Sequence, residues 1–217
     1  MSRGGGGSRR QRRRQAVRQL LERRDLTGLQ ALAAQTPQAA SHLVGLLNEP
    51  EDLLRWRAIE ALGLLAARRA TEDPDAVRDL IRRQLWSMND ESGNVAWHAA
   101  EAVGEILARV PALAPEYTAM LASHADVPLF RAGVLWALDR IAGVRPDLVQ
   151  DHVPLLLQSL ADPQPEARGY AASALGRLGT TEPLSRLRAD DAPIDLYDFE
   201  QGEMVRTTVA ALARKFC

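Results

Sequence analysis

The sequence predicts an all-α solenoid: antiparallel helix pairs stacked into one array of about four to five repeats. Two observations carry this. The first is recurrence. A pattern opens on the turn Asp162-Pro163, passes through Arg168, and sets Ala171, Ala174, Leu175 and Leu178 on one helical face. It returns as Leu54-Arg55 with Ala58, Ala61, Leu62, Gly63 and Leu65, and as Val95 with Ala99, Ala102, Val103, Gly104 and Leu107. Phe130-Arg131 with Val134, Ala137, Leu138 and Ile141 repeats it again, and a worn copy runs from Val205 to Ala213. Counted at the Arg55 position, the copies begin near 55, 96, 131, 168 and 205. The steps of 41, 35, 37 and 37 match the period near 40 of paired-helix arrays. The second observation is that no segment alternates with period two for long enough to predict a strand.

The elements follow in order. Residues 1–15 read MSRGGGGSRRQRRRQ, four consecutive glycines and a self-repelling arginine cluster, so a disordered tail is expected there. Residues 16–217 form the single folded domain. Its first helix begins at Ala16, and more helix follows from Asp25 to Ala34. Thr36-Pro37 opens a helix that Asn48-Glu49-Pro50 stops after Leu47. Four pairs come next: Asp52–Arg69 with Pro74–Met88, Asn94–Arg109 with Pro115–Ser123, Val127–Ala142 with Pro146–Leu160, and Pro165–Leu178 with Glu182–Ala189. Pro74, Pro115, Pro146 and Pro165 sit at helix starts, where a missing N–H is no loss. A last helix is expected from Glu203 to Phe216.

Composition narrows the classes. A 46% hydrophobic content over 217 residues supports a sizeable core. No apolar run reaches the roughly 18 residues of a membrane span. One cysteine, Cys217, leaves no disulfide framework, as suits a cytoplasmic protein. The formal charge of −1 hides an asymmetry: residues 1–25 carry nine arginines against Glu22 and Asp25, and the body is acidic. Arg9, Arg10, Arg12, Arg13 and Arg14 offer phosphate neutralisation to a nucleic acid, or are a solvated tail, since no aromatic is interleaved for base stacking.

Register within the repeats sorts the side chains. Relative to the Arg55 position, offsets 3, 6, 7 and 10 are small or apolar and form the core. Offsets 2, 5 and 9 make a mostly polar stripe expected to face water. It reads Arg57, Glu60, Leu64; His98, Glu101, Glu105; Gly133, Trp136, Arg140; and Tyr170, Ser173, Arg177. Trp136 departs from that polarity. It is either packed between repeats or, with Arg140 and Tyr170, an anchor for a partner protein. Trp56 and Trp97 share offset 1 and are expected to pack alike, while Trp86 is expected to cover the next loop. The polar run from Asn89, with Glu91, Ser92 and Asn94, reads as a binding loop or as a capping turn.

The pattern resembles the HEAT repeat, in the variant also found in phycobilin lyase subunits. That resemblance implies a right-handed superhelical HEAT-repeat α-solenoid. LLRWRAIEALG, LWSMNDESGNVAWHAAEAVGEIL and LFRAGVLWALDRIA together resemble an uncharacterised family of small bacterial HEAT proteins, which brings a fold and no activity. A HEAT-like DNA glycosylase also exists, but would need a basic concave surface, and the body is acidic.

Catalytic constellations are thin. No P-loop, GxSxG elbow, dinucleotide fingerprint or Cys–His pair is present. His98, Glu101 and Glu105 share a helical face, for which a surface stripe is the expectation over a metal site. The acidic run Asp190, Asp191, Asp195, Asp198, Glu200 and Glu203 lacks EF-hand periodicity and reads as a solvated loop. The expectation is a non-enzymatic, cytoplasmic module without cofactor or metal. A protein partner would dock on Trp136, Arg140, Tyr170, His98, Glu101, Glu91, Ser92 and Asn94.

Overall fold

Helix boundaries follow the caps the sequence supplies. In the computed structural model, which describes residues 5–36, 39–89 and 97–216, the chain runs α1 (Gly5–Glu22), α2 (Leu26–Gln35), α3 (Ala39–Val44) and α4 (Asp52–Ala70). Next come α5 (Pro74–Ser87), α6 (Ala99–Arg109), α7 (Ala114–Ala122), α8 (Pro128–Ala142), α9 (Val153–Ser159) and α10 (Pro165–Arg177). A two-stranded hairpin, β1 (Pro193–Asp198) and β2 (Glu203–Thr208), precedes α11 (Val209–Arg214). Asp73 accepts from the Ala76 N–H at 3.1 Å to start α5, with Pro74 in the first turn. At the end of α10, Gly179 takes φ 78°, and the Thr180 N–H reaches back to the Leu175 carbonyl at 2.9 Å. That closes a Schellman cap.

Helices α4, α6, α8 and α10 pack side by side as one row, backed by α5, α7 and α9. A Cβ on Gly104 would lie 2.4 Å from the Ala137 Cβ, so α6 and α8 approach closer there than side chains permit. The core between the rows includes Ile59, Leu62, Ile106, Leu107, Val134, Leu138 and Leu175, all essentially without exposure. The recurring arginine has a repeated task. Arg55, Arg131 and Arg168 each donate to the carbonyl six residues earlier, those of Glu49, Ala125 and Asp162. Each therefore clamps the segment before its own helix by satisfying one of its carbonyls.

The structure departs from the sequence expectations at four places. Helix α1 begins at Gly5, inside the stretch assigned to a tail; arginine is a good helix former, and burial of Val17 and Leu21 fixes the downstream turns. The segment from Pro146 to Leu160 is two 3-10 turns followed by α9, and that from Glu182 to Leu187 is 3-10 helix. Residues 203–208 are strand, not the first turns of a final helix, so the acidic run is a hairpin. Glu91, Ser92 and Asn94, and with them the choice between binding loop and capping turn, lie outside the described residues. Among the described residues no helix is long and apolar enough to cross a membrane.

Candidate interaction surface

The offset 2, 5 and 9 residues do share a face, contributed by α4, α6, α8 and α10. That face is concave. The indoles of Trp56 and Trp136 come from helices on either side of α6, yet their centroids are 4.9 Å apart above it. It is not open to water. The hairpin leaves the end of the array beside α10 and reaches back to the turn between α1 and α2. Trp136 is 6% exposed, Tyr170 7% and Glu101 8%, which corrects the expectation that these three present an accessible docking surface. For Trp136 the cover is Phe199 of the hairpin loop and the Trp56 indole, both remote in sequence.

The hairpin is held by aromatics and arginines. Tyr197 stacks on Trp56 at 6.1 Å, and its hydroxyl donates to Glu60 Oε2 at 2.6 Å. Burial, and then the bond to Glu60, push the Tyr197 phenol above its ordinary pKa. Phe199 stacks on Trp136 at 6.2 Å and meets Tyr197 edge-on at 4.9 Å. The Arg140 guanidinium lies 4.4 Å from the Phe199 ring centroid and 5.8 Å from that of Trp136. At the tip, Arg24 donates to the Phe199 and Glu200 carbonyls, and Arg57 to the Gly202 carbonyl at 3.1 Å. The Asp198 carboxylate shapes the loop by accepting from the Glu200 and Gln201 N–H groups at 2.8 and 3.0 Å, which holds it below the usual carboxylate range. Gly202 takes φ 71°, and a Cβ there would meet the Arg24 side chain at 2.1 Å.

Beneath the hairpin the stripe forms a ladder of ion pairs. Arg24 holds Glu60 at 2.8 Å, and Arg177 holds Asp139 at 2.7 Å. Fully buried Glu105 accepts from both Arg109 and Arg140. Burial raises the Asp139 carboxyl pKa against the pull of Arg177. Glu101 differs: its Oε1 pairs with the half-buried His98 ring at 2.9 Å, and among the described residues its Oε2 has no hydrogen-bond partner. That oxygen packs against Gly133, where a Cβ would be 2.5 Å away. Among the described residues no three His, Cys, Asp or Glu are grouped to hold a metal. Arg9, Arg10, Arg12, Arg13 and Arg14 all fall on α1.

The exposed aromatics are elsewhere. Trp86 at the end of α5 is 77% exposed and Trp97, before α6, is 59% exposed. Shared offset did not give Trp56 and Trp97 a shared role: Trp56 is covered by Tyr197, whereas Trp97 is exposed. Trp86 lies in the last turn of α5 and Trp97 two residues before α6. Arg82 and Arg83 share the last turns of α5 with Trp86.

Comparison with known proteins agrees with this architecture. Residues 128–178, which span α8 to α10, match the HEAT-like repeat family. An uncharacterised protein of Archaeoglobus fulgidus is 29% identical over 180 residues, covering 79% of this chain and 92% of the relative. That relative is archaeal, whereas the sequence motifs resemble a bacterial family. The crystal structure of an engineered protein, a Northeast Structural Genomics Consortium target, is similar in fold, with TM-score 0.57 and 17% identity over 93% of this chain and 87% of that one. The recurring helix pairs show an all-α solenoid, and its stretch from α8 to α10 is similar to the HEAT-like repeat.

Proposed function

We propose that the protein is a non-catalytic, cytoplasmic interaction or scaffold module, and that its partner protein docks at the edge marked by Trp86 and Trp97. The observation that carries this reading is their exposure, 77% and 59%. Large aromatics are seldom left so open, and Trp with Arg is the composition of binding hot spots. Glu91, Ser92 and Asn94 lie between the two tryptophans in sequence and are proposed as part of the same surface. A rigid helical array suits this, because each repeat adds a strip of fixed surface. The non-catalytic reading is supported by the ion pairs of the concave face, where Glu60, Glu105 and Asp139 are each held by arginine.

The test is capture from a lysate of the source organism with the full chain as bait. Trp86→Ala with Trp97→Ala should abolish recovery of the partner, at a cost of about 2 kcal/mol or more in binding. A Val144→Ala bait, changed at another exposed apolar site, should recover it unchanged. Equal recovery by all three baits would sink the proposal.

A further inference from the structure

The hairpin is seated as a ligand is seated. Two side chains anchor it, Tyr197 on Trp56 and Glu60, and Phe199 on Trp136 and Arg140. The remaining grip at its tip is on main-chain carbonyls, through Arg24 and Arg57. Carbonyl contacts read backbone shape and not side-chain identity, so they would hold any segment that follows the same path. The hairpin is also an excursion from the helical stack. Its two ends meet at one point, where Ala192 accepts from the Val209 N–H at 3.1 Å and Asp190 from the Ala210 N–H at 2.8 Å. Beyond that point α11 returns to pack on α10 and the helical array continues without it. Its apolar hold on the core is uneven: Ile194 and Tyr197 of β1 are buried and Leu196, Phe199 and Met204 pack partly buried against the core, while β2 buries none of its side chains fully. Segments held this way open at lower cost than the core.

We propose that the concave face is a recognition groove for a hairpin or extended peptide segment carrying two aromatic side chains two residues apart, and that residues 193–208 are its occupant in cis. Trp56 and Trp136 form the two aromatic seats, and Arg24 and Arg57 the carbonyl clamp. An incoming segment displaces the chain's own hairpin, which swings about the Asp190–Ala210 point while the helical array stays intact. The groove and the Trp86–Trp97 edge are different surfaces, so either proposal can fail alone.

The probe is a synthetic peptide spanning residues 190–210, titrated calorimetrically against the full-length chain. Tyr197→Ala with Phe199→Ala in the protein should free the groove, and this variant should bind the peptide one to one with a Kd on the order of micromolar. Wild type should bind it about tenfold more weakly or less, because its own hairpin competes. A peptide with both aromatics replaced by alanine should bind neither protein. Absence of binding to a variant with wild-type circular dichroism would overturn the proposal. So would collapse of the variant's helical signal, which would make the hairpin a part of the core. Hydrogen exchange on the wild-type chain gives a check without substitution. Amides of 194–207 should exchange about a hundredfold faster than those of α8. Equal protection of the two would also overturn the proposal.

Discussion

Glu105 has no exposed surface and carries the charge balance at the centre of the concave face, between Arg109 and Arg140. Removing one member of a buried ion-pair set leaves the others uncompensated. Glu105→Ala should therefore destabilise the fold by about 3–5 kcal/mol in a denaturant titration. Trp136→Ala should cost a similar amount, about 3–5 kcal/mol, because the indole sits between Trp56, Phe199 and Arg140. Trp86→Ala should change stability by no more than about 0.5 kcal/mol, since its ring stands in water. At this scale the sequence was legible only where local register decides the environment. The core offsets were readable because a helix buries the same positions whatever follows it. Register alone left Trp136 open between burial and exposure, because its cover comes from Phe199 and Trp56, whose positions no local periodicity reveals. Trp97 failed in the opposite sense: it shares offset 1 with Trp56, yet Trp56 is stacked on Tyr197 and Trp97 is exposed.

Among the elements, the hairpin was the hardest to read. Its first strand, Pro-Ile-Asp-Leu-Tyr-Asp, alternates over only a few residues, and its acids suggested a loop. The signals that were present are Pro193 at the first strand position, where no ladder donor is needed, and an Asp198 to Gly202 loop ending in a left-handed glycine. The long helices α4, α8 and α10 were legible to within one or two residues, because their starts and their apolar faces agree. At the base of the hairpin, hydrogen bonds from Arg168 hold Asp190 below the usual carboxylate range. A depressed folded-state pKa stabilises above the unfolded value of about 3.9 and loses that contribution as pH falls through the folded value. Melting temperature should thus decline as pH is lowered below about 4, and Asp190→Asn should flatten that acid limb while lowering stability at neutral pH. An acid limb of unchanged slope in the variant would show that other carboxylates carry it.

At the scale of the whole molecule, one face is closed and other surface is open. The repeats build a curved row of helices, the hairpin closes its concave side, and the exposed tryptophans are Trp86 at the end of α5 and Trp97 before α6. Hydroxyl-radical footprinting of the unmodified full-length protein, read residue by residue by mass spectrometry, measures this directly. Trp86 and Trp97 should oxidise rapidly, and Trp56, Trp136 and Tyr197 should be protected to the level of the buried Phe130. Oxidation of Trp56 and Trp136 as fast as that of Trp86 would contradict it, because the concave face would then be open in solution.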